Sequence, residues 1–511
     1  MKKYIYIIIA GLSFGTIQSQ EVRDAVRFTQ DNINGTARYK AMSGAFGALG
    51  GDLSSLNINP AGSSVFSNNQ MTLTFSNLVT NNNADYFGSK HNEKSSDFNL
   101  NQAGAVFVFK NGNRKSGWKK FAVGVNYENT NNFNNTTGTF GTNPTNSVAE
   151  YFLSFANANP NKNQEGIPLG TMINNTYYKL KYADQQAFLG FKGFLINPQN
   201  DVDSNTVYQS NVPSGGNYYQ ENTITSTGYN GKLSFNASAD YNDRIHFGLN
   251  LNSHFTDFRQ NKVFYEDNDN SLNSNTIDIA NTKFENETYT YGSGFSFQLG
   301  TIIKATKELR IGLAYESPTW NRFNDEVRQN ITSVINEDKV NPNFETINPD
   351  SNEFVVYDTY QLKTPSKFTG SLAYVFGKKG LISFDYSRKD YSKIQYSMER
   401  DTRDPFINTE IGQTLKVSNE FRVGGEYKIK ALSLRAGYRY QESPYKDNTT
   451  LGDLKGYSAG IGYNFGSTKL DLAYANAKRT TQQGFFSQGF TDGAKINTKT
   501  DTVSLTLLFE L

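Results

Sequence analysis

Residues 501–511 read Asp501-Thr-Val-Ser-Leu-Thr-Leu-Leu-Phe-Glu-Leu511. Val503, Leu505, Leu507, Phe509 and Leu511 fall on one face of a strand, and Thr502, Ser504, Thr506 and Glu510 on the other. Such period-two alternation marks a strand with one apolar and one polar face. As an ordinary edge strand it would expose that apolar face and invite aggregation. As the closing strand of a membrane barrel it would turn the same face to lipid.

The pattern recurs upstream. Met71, Leu73 and Phe75 alternate with Thr72 and Thr74; Phe121, Val123, Val125 and Tyr127 with Ala122, Gly124 and Asn126. Ile245 to Leu251, Ile311 to Tyr315 and Tyr457 to Phe465 repeat it. Short connections (110–117, 241–244, 306–308, 377–380, 428–430 and 466–468) alternate with long ones rich in Asn, Asp and Thr (79–98, 130–220, 257–285, 317–358, 390–415, 443–454 and 481–496). Outer-membrane barrels alternate short periplasmic turns with long external loops. The expected fold is therefore all-β, a transmembrane antiparallel β-barrel of about fourteen strands spanning 70–511, with the largest external loop at about 130–220. Its polar face becomes the lumen, holding Arg310, Glu316, Lys367, Asp385, Arg422, Glu426, Arg435, Arg439 and Asp471. Mixed charges of this kind can pair across neighbouring strands.

Composition agrees. Only 37% of the 511 residues are hydrophobic, while 14% are aromatic, and mean hydropathy is −0.60. A disordered chain would be poor in aromatics, and an ordinary soluble core of this size would need more aliphatics. With no Cys, disulfides, Fe–S clusters and Cys-type zinc sites are excluded. A net charge of +2 gives no reason to expect a nucleic-acid partner.

Lys2 and Lys3 precede a largely apolar run, Tyr4 to Phe14, and a small, polar stretch ending Ile17-Gln-Ser-Gln20. This reads as a secretory signal peptide over 1–19, cut near Ser19 or Gln20, since the run is too short to span a bilayer comfortably. The expected location is the outer membrane of a Gram-negative-type cell.

Residues 20–69 lack strand alternation. Ala37 to Gly62 is dense in Gly, Ala and Ser, which allow close backbone packing and tight turns. About fifty such residues ahead of the first strand can fold into a barrel and plug it, closing the water path that a barrel of this size would leave. In this place the chain resembles the FadL/TodX-type outer-membrane transporters of long-chain fatty acids and aromatic hydrocarbons. Their N-terminal hatch carries a Gly/Ala-rich stretch, an acidic residue and Asn-Pro-Ala. The counterparts here are Gly44 to Gly51, Asp52, and Asn59, Pro60, Ala61 and Gly62. Leu309 to Pro318, Leu362 to Tyr374, Leu434 to Pro444, Gly460 to Tyr463 and Leu470 to Tyr474 are similar to family strands in the same order. The resemblance implies a hatch-plugged barrel in which external loops capture an apolar ligand. Asp52 and Asn59 to Gly62 would then form the gate for passive uptake of long-chain fatty acids or similar compounds.

The long loop holds two apolar islands, Val148 to Phe155 and Tyr177 to Ile196. Tyr178, Tyr182, Phe188, Leu189, Phe191 and Phe194 of the second are the candidate ligand-binding residues. They can pack onto the barrel mouth or make a groove for a hydrophobic small molecule; the two arrangements overlap. No catalytic, metal or cofactor site is expected. His246 and His254 both face the lumen but lie roughly 26 Å apart along one strand. The expected partners are outer-membrane lipids and the ligand. The alternative reading is a barrel of the same fold that docks a protein partner in secretion or surface attachment.

Overall fold

The computed structural model describes residues 21–113, 115–160, 164–270, 277–336, 343–349, 353–398 and 405–511. The signal-peptide stretch at 1–19 lies outside them. Fourteen antiparallel strands form the wall. They are β1 Gln70–Tyr86, β2 Ser89–Lys110, β3 Trp118–Asn132 continued by Asn135–Asn143, β4 Tyr218–Tyr241, β5 Ile245–Asp267 and β6 Asp278–Lys304. Next come β7 Leu309–Glu316 continued by Trp320–Asn336, β8 Tyr360–Lys363 continued by Lys367–Val375, and β9 Gly380–Asp390. The last five are β10 Val417–Ile429, β11 Leu432–Gln441, β12 Leu454–Asn464, β13 Thr468–Gly484 and β14 Gly493–Glu510. Each strand pairs with its chain neighbour, and β14 pairs back onto β1, with Leu505 opposite Phe75 and Leu507 opposite Leu73. The β14–β1 pairing closes the sheet on itself, so neither the first strand nor the last is an edge. No helix among the described residues is long and apolar enough to cross a membrane.

The wall is apolar outside and polar inside. Phe75, Phe98, Phe235, Leu249, Leu372, Phe384, Val423, Ile461 and Leu472 are exposed on the outer surface, whereas Thr72, Thr74, Gln102, Asn126 and Asn250 are buried within. One rim carries the short turns. At the other, several strands run on past the apolar band. Of the long connections expected from the sequence, 79–98 is a continuous β1–β2 hairpin turning at Phe87-Gly88, and 257–285 is largely the ends of β5 and β6. These extensions have water on their outer side and so need no outward apolar face. The largest external connection therefore begins after Asn143 and ends before Tyr218.

That connection forms a cap. Its helices are α3 Ala149–Ala156, α4 Leu169–Ile173 and α5 Tyr182–Lys192, completed by a hairpin pairing Ile196–Pro198 with Tyr208–Ser210. Phe152, Phe155, Met172, Leu189 and Leu195 make its core, which continues onto Phe264 of β5, Phe284 of β6 and Ile331 of β7.

Candidate functional site

Residues 21–69 fill the lumen. The segment starts beneath the cap with α1 Val22–Thr29 and descends through α2 Ala37–Ala41. Two 3-10 turns, Leu53–Asn57 and Pro60–Val65, carry it to the short-turn rim, where it enters β1. Phe28 of α1 packs among Phe133, Phe258 and Phe323 of the wall, with ring centroids 6.2, 5.7 and 5.0 Å away.

The candidate gate residues form the joints of this hatch. Asp52 caps the first 3-10 turn, accepting from Ser54 N at 2.9 Å, and accepts from Thr36 Oγ1 at 2.8 Å, so one carboxylate ties α2 to the turn. Burial pushes its carboxyl up, against the pull of Arg38. Asn59 caps the second turn through Ala61 N at 3.1 Å. Its amide donates to Gly47 O at 2.8 Å within the hatch and to Thr301 O of β6 at 2.9 Å. Pro60 starts the turn, where a missing N–H costs nothing, and its carbonyl accepts from Asn236 of β4 at 2.9 Å. Ala61 is fully buried. Gly62 lies against Gly50, whose φ of +62° only glycine adopts comfortably, and a Cβ on Gly62 would come within 2.6 Å of Ser55 Oγ.

Bare positions on the wall let the hatch lie flat on it. A Cβ on Gly248 would sit 2.2 Å from Pro60 C, and one on Gly300 would sit 2.0 Å from Asn59 Oδ1. The opposite wall is ionic. Arg38 of α2 meets Glu426 at 2.9 Å, and Glu426 also takes Arg435 at 2.7 Å. Asp385 accepts from the backbone of Phe46 and Gly47, each at 3.0 Å. Asp31 bridges Lys367 at 3.1 Å and Lys389 at 3.3 Å. The lumen charges do pair across strands, and two of their networks also grip the hatch. Sequence patterns flagged the wall charges but not Arg38 or Asp31, because a partner on an irregular segment has no periodicity to betray it.

The wall is broken at one place. The β2–β3 ladder runs from Lys110↔Lys120 to Gln102↔Glu128 and stops. Beyond it β2 pairs only with β1 and β3 only with β4, while Phe133 turns inward. No backbone ladder bridges the gap, only bonds in which a side chain takes part: Asn132 to Asp97 at 2.6 Å, Thr136 N to Ser95 Oγ at 2.9 Å, Asn82 of β1 to Asn135 at 2.7 Å. Behind the gap is a cavity of about 380 Å³, lined by Asn99, Asn101, Asn132, Asn134 and Asn135 of the break, by Gln30, Ile33 and Lys40 of the hatch, and by Leu78, Leu451, Leu454, Arg439 and Arg479. Burial brings the Lys40 ammonium down to about 7.

The loop candidates sit in the cap. Phe188 and Leu189 are buried in its core, with Tyr182 and Phe191 packed at its margin. Tyr182 also borders a cavity of about 40 Å³ with Tyr151, Phe264, Phe284 and Phe486, next to Glu21 and Lys262. Tyr178 is half-exposed. Phe194 lies apart, with φ +59°, against Val212, Tyr218 and Ile279. His246 Nδ1 meets Ser64 Oγ at 2.9 Å, and its Nε2 has no partner, so no carboxylate completes a triad there. No group of His, Asp and Glu among the described residues is placed to hold a metal ion.

A closed fourteen-stranded wall around an N-terminal hatch can be set beside known proteins. The family described as Outer membrane protein transport protein (OMPP1/FadL/TodX) matches residues 16–507. The chain belongs to this family. Its members are outer-membrane β-barrels, channels for hydrophobic compounds rather than enzymes. A FadL homologue from Pseudomonas aeruginosa is similar in fold, with a TM-score of 0.53 at 13% identity over 94% of this chain and 99% of that one. The Pseudomonas putida toluene transporter TodX gives a TM-score of 0.50 at 13% identity, with 94% and 99% covered. At such identity these likenesses speak for the fold alone. No curated protein matches the chain.

Proposed function

We propose that this FadL/TodX-family channel takes up amphiphilic acids of the long-chain fatty-acid type, passing them by the hatch without bond chemistry. The observation that carries this reading is the cavity of about 380 Å³ at the break in the wall. It combines three cations, Lys40, Arg439 and Arg479, with apolar Ile33, Leu78, Leu451 and Leu454. Arg439 is spoken for by Glu420. Lys40 donates to Asn34 Oδ1 at 3.5 Å, with Glu128 near but in no ion pair with it, and Arg479 reaches Gln441 Oε1 at 3.4 Å while its Nε has no partner. A buried cation without a counter-ion is costly, and a carboxylate headgroup would relieve it. A bare aromatic hydrocarbon would leave those cations without an anionic partner. Capture begins on the cap, where Tyr178 is open to solvent and Tyr182 flanks an aromatic slot beside Lys262. The gate is the joint at Asp52 and Asn59 to Gly62.

The test is titration of the detergent-purified protein with a labelled long-chain fatty acid and, separately, with an alkane of equal length. Wild type binds the acid saturably. Lys40→Met with Arg479→Met loses that binding and leaves alkane binding unchanged. Equal loss of both ligands would remove the headgroup argument, and binding to neither, in wild type, would remove the transport reading in favour of a barrel that docks a protein.

A further inference from the structure

The outer surface of the barrel carries a feature that hatch and cavity do not use. In register across five adjacent strands stand Lys455 of β12, Lys478 of β13, Lys499 of β14, Asn81 of β1 and Lys94 of β2. Lys455 is directly opposite Lys478, and Lys478 directly opposite Lys499. Like charges so placed repel and destabilise a sheet. Guarding an edge does not explain Lys455, Lys478 and Lys499, whose strands are paired on both sides; Lys94 alone stands where β2 has lost β3. Among the described residues Lys499 is the one member of the row in an ion pair, with Asp501 at 2.9 Å. Asp453 is the other carboxylate near Lys455, and it is engaged by Tyr440 Oη at 2.7 Å and Ser443 N at 2.8 Å.

The opposite side of the barrel is built otherwise. There, beyond the apolar band, Arg328 faces Glu287 across the β6–β7 ladder and pairs with it, and Lys283 pairs with Glu285 at 2.8 Å. Among the described residues no two cations stand opposite each other in the β5–β6 and β6–β7 ladders of that side.

Its height is informative. On the same outward faces, Tyr457 precedes the row by two residues, and Tyr474 and Phe98 by four. At about 3.4 Å per residue and a tilt of about 40°, the lysines stand roughly 5–10 Å beyond the last apolar side chains. The headgroup layer of a bilayer is of that thickness, roughly 5–8 Å on each side. The row spans four strand spacings, roughly 19 Å, wide enough for more than one phosphate.

We infer that Lys94, Lys455, Lys478 and Lys499 form a docking surface for a phosphate-bearing lipid of the outer leaflet, its phosphomonoesters lying between the ammonium groups. This does not depend on which ligand the channel carries. The experiment places wild type and the quadruple Lys→Gln variant in nanodiscs of a zwitterionic phospholipid, with or without a minor fraction of a lipid bearing two phosphomonoesters. Bound lipid is counted by native mass spectrometry, and heat-modified gel mobility verifies folding. Wild type should retain the phosphorylated lipid, and the variant should lose about six-hundredfold in affinity, at about fivefold for each of four cations near a charged surface. A quadruple Lys→Arg variant should keep it, and neutralising Lys378, Lys379, Lys428 and Lys430 on the short-turn rim should change nothing. Equal retention by wild type and the Lys→Gln variant would overturn the inference. So would inorganic phosphate in detergent protecting wild type as well as the lipid does, because the row would then be a site for free phosphate.

Discussion

Replacing Asn59 with Ala should open the hatch without loosening the barrel. The amide makes three short hydrogen bonds: to Gly47 O at 2.8 Å, to Thr301 O at 2.9 Å and from Ala61 N at 3.1 Å. Each contributes about 1 kcal/mol net, so Asn59→Ala should cost the hatched state about 3 kcal/mol, a shift of roughly a hundredfold in the opening equilibrium. None of the β1–β14 ladder bonds is touched, so the thermal transition of the wall should stay in place. The chain has no cysteine, which makes a single thiol a clean reporter. Ser55 is fully buried in the first 3-10 turn. In a Ser55→Cys background, maleimide labelling under conditions where reclosing outpaces reaction should run about a hundredfold faster with Asn59→Ala than without it. Unchanged labelling would show that Asn59 is not a joint of the hatch. Faster labelling in step with a lowered wall transition would show that hatch and wall open as one unit, and either result refutes the reasoning.

Other outcomes follow from the same contacts. Gly300→Val should force the 3-10 turn off β6, because its Cβ would stand 2.0 Å from Asn59 Oδ1; planar-bilayer recordings should show steady conductance where wild type is closed. Phe133→Ala removes a buried ring packed on Phe28 and Phe258 and should cost α1 docking about 3–4 kcal/mol, read as faster hydrogen exchange in residues 22–29. Lys40, brought down to about 7 by burial, is charged below that pH and neutral above it in the folded state, while the unfolded chain keeps its proton to about 10.5. The penalty of the buried charge is therefore fully present below pH 7 and is relieved as pH rises from about 7 to 10.5. Fatty-acid binding, which needs the charge, should weaken over the first part of that range in wild type and show no such step in Lys40→Met. Glu266, at the external end of β5 beyond the membrane, accepts from Val148 N at 2.8 Å and Gln220 Nε2 at 2.7 Å, and burial raises its carboxyl to about 7. Because that value lies above the unfolded one, cap stability should fall as pH rises from about 4.5 to 7. Glu266→Gln should abolish the slope in exchange rates of residues 148–156.

The wall was legible because lipid outside and a polar lumen inside impose strict alternation, as from Val503 to Leu511. The strand extensions were not legible. Asn81, Asn83, Asn92 and their neighbours are paired yet solvated on the outward side, so no hydrophobic period marks them, and they read as loop. That residues 20–69 are not strands could be seen from their small residues, and the resemblance singled out Asp52 and Asn59. Their partners could not, since Asn59 meets Thr301 more than 240 positions away and Asp52 meets Thr36 through a fold without period. The break between β2 and β3 was hidden for another reason: residues 129–135, Asn-Thr-Asn-Asn-Phe-Asn-Asn, read as the start of a loop, and nothing local says that the chain stays paired to β4 while it loses β2. The lysine row needed the register, because four lysines scattered from 94 to 499 become a row only when each strand's offset is known.

Under the proposed gating, the attachment of the hatch to β1 has a kinetic consequence. Whatever bonds a passing ligand breaks, the covalent link at Asn69 keeps the displaced segment on a leash, at an effective concentration that short flexible tethers hold near millimolar. Return is then a first-order event, independent of how many molecules surround the cell, and each opening ends on the protein's own clock. A valve working in the proposed way would meter passage by dwell time and expose the aqueous contents behind it only for that interval.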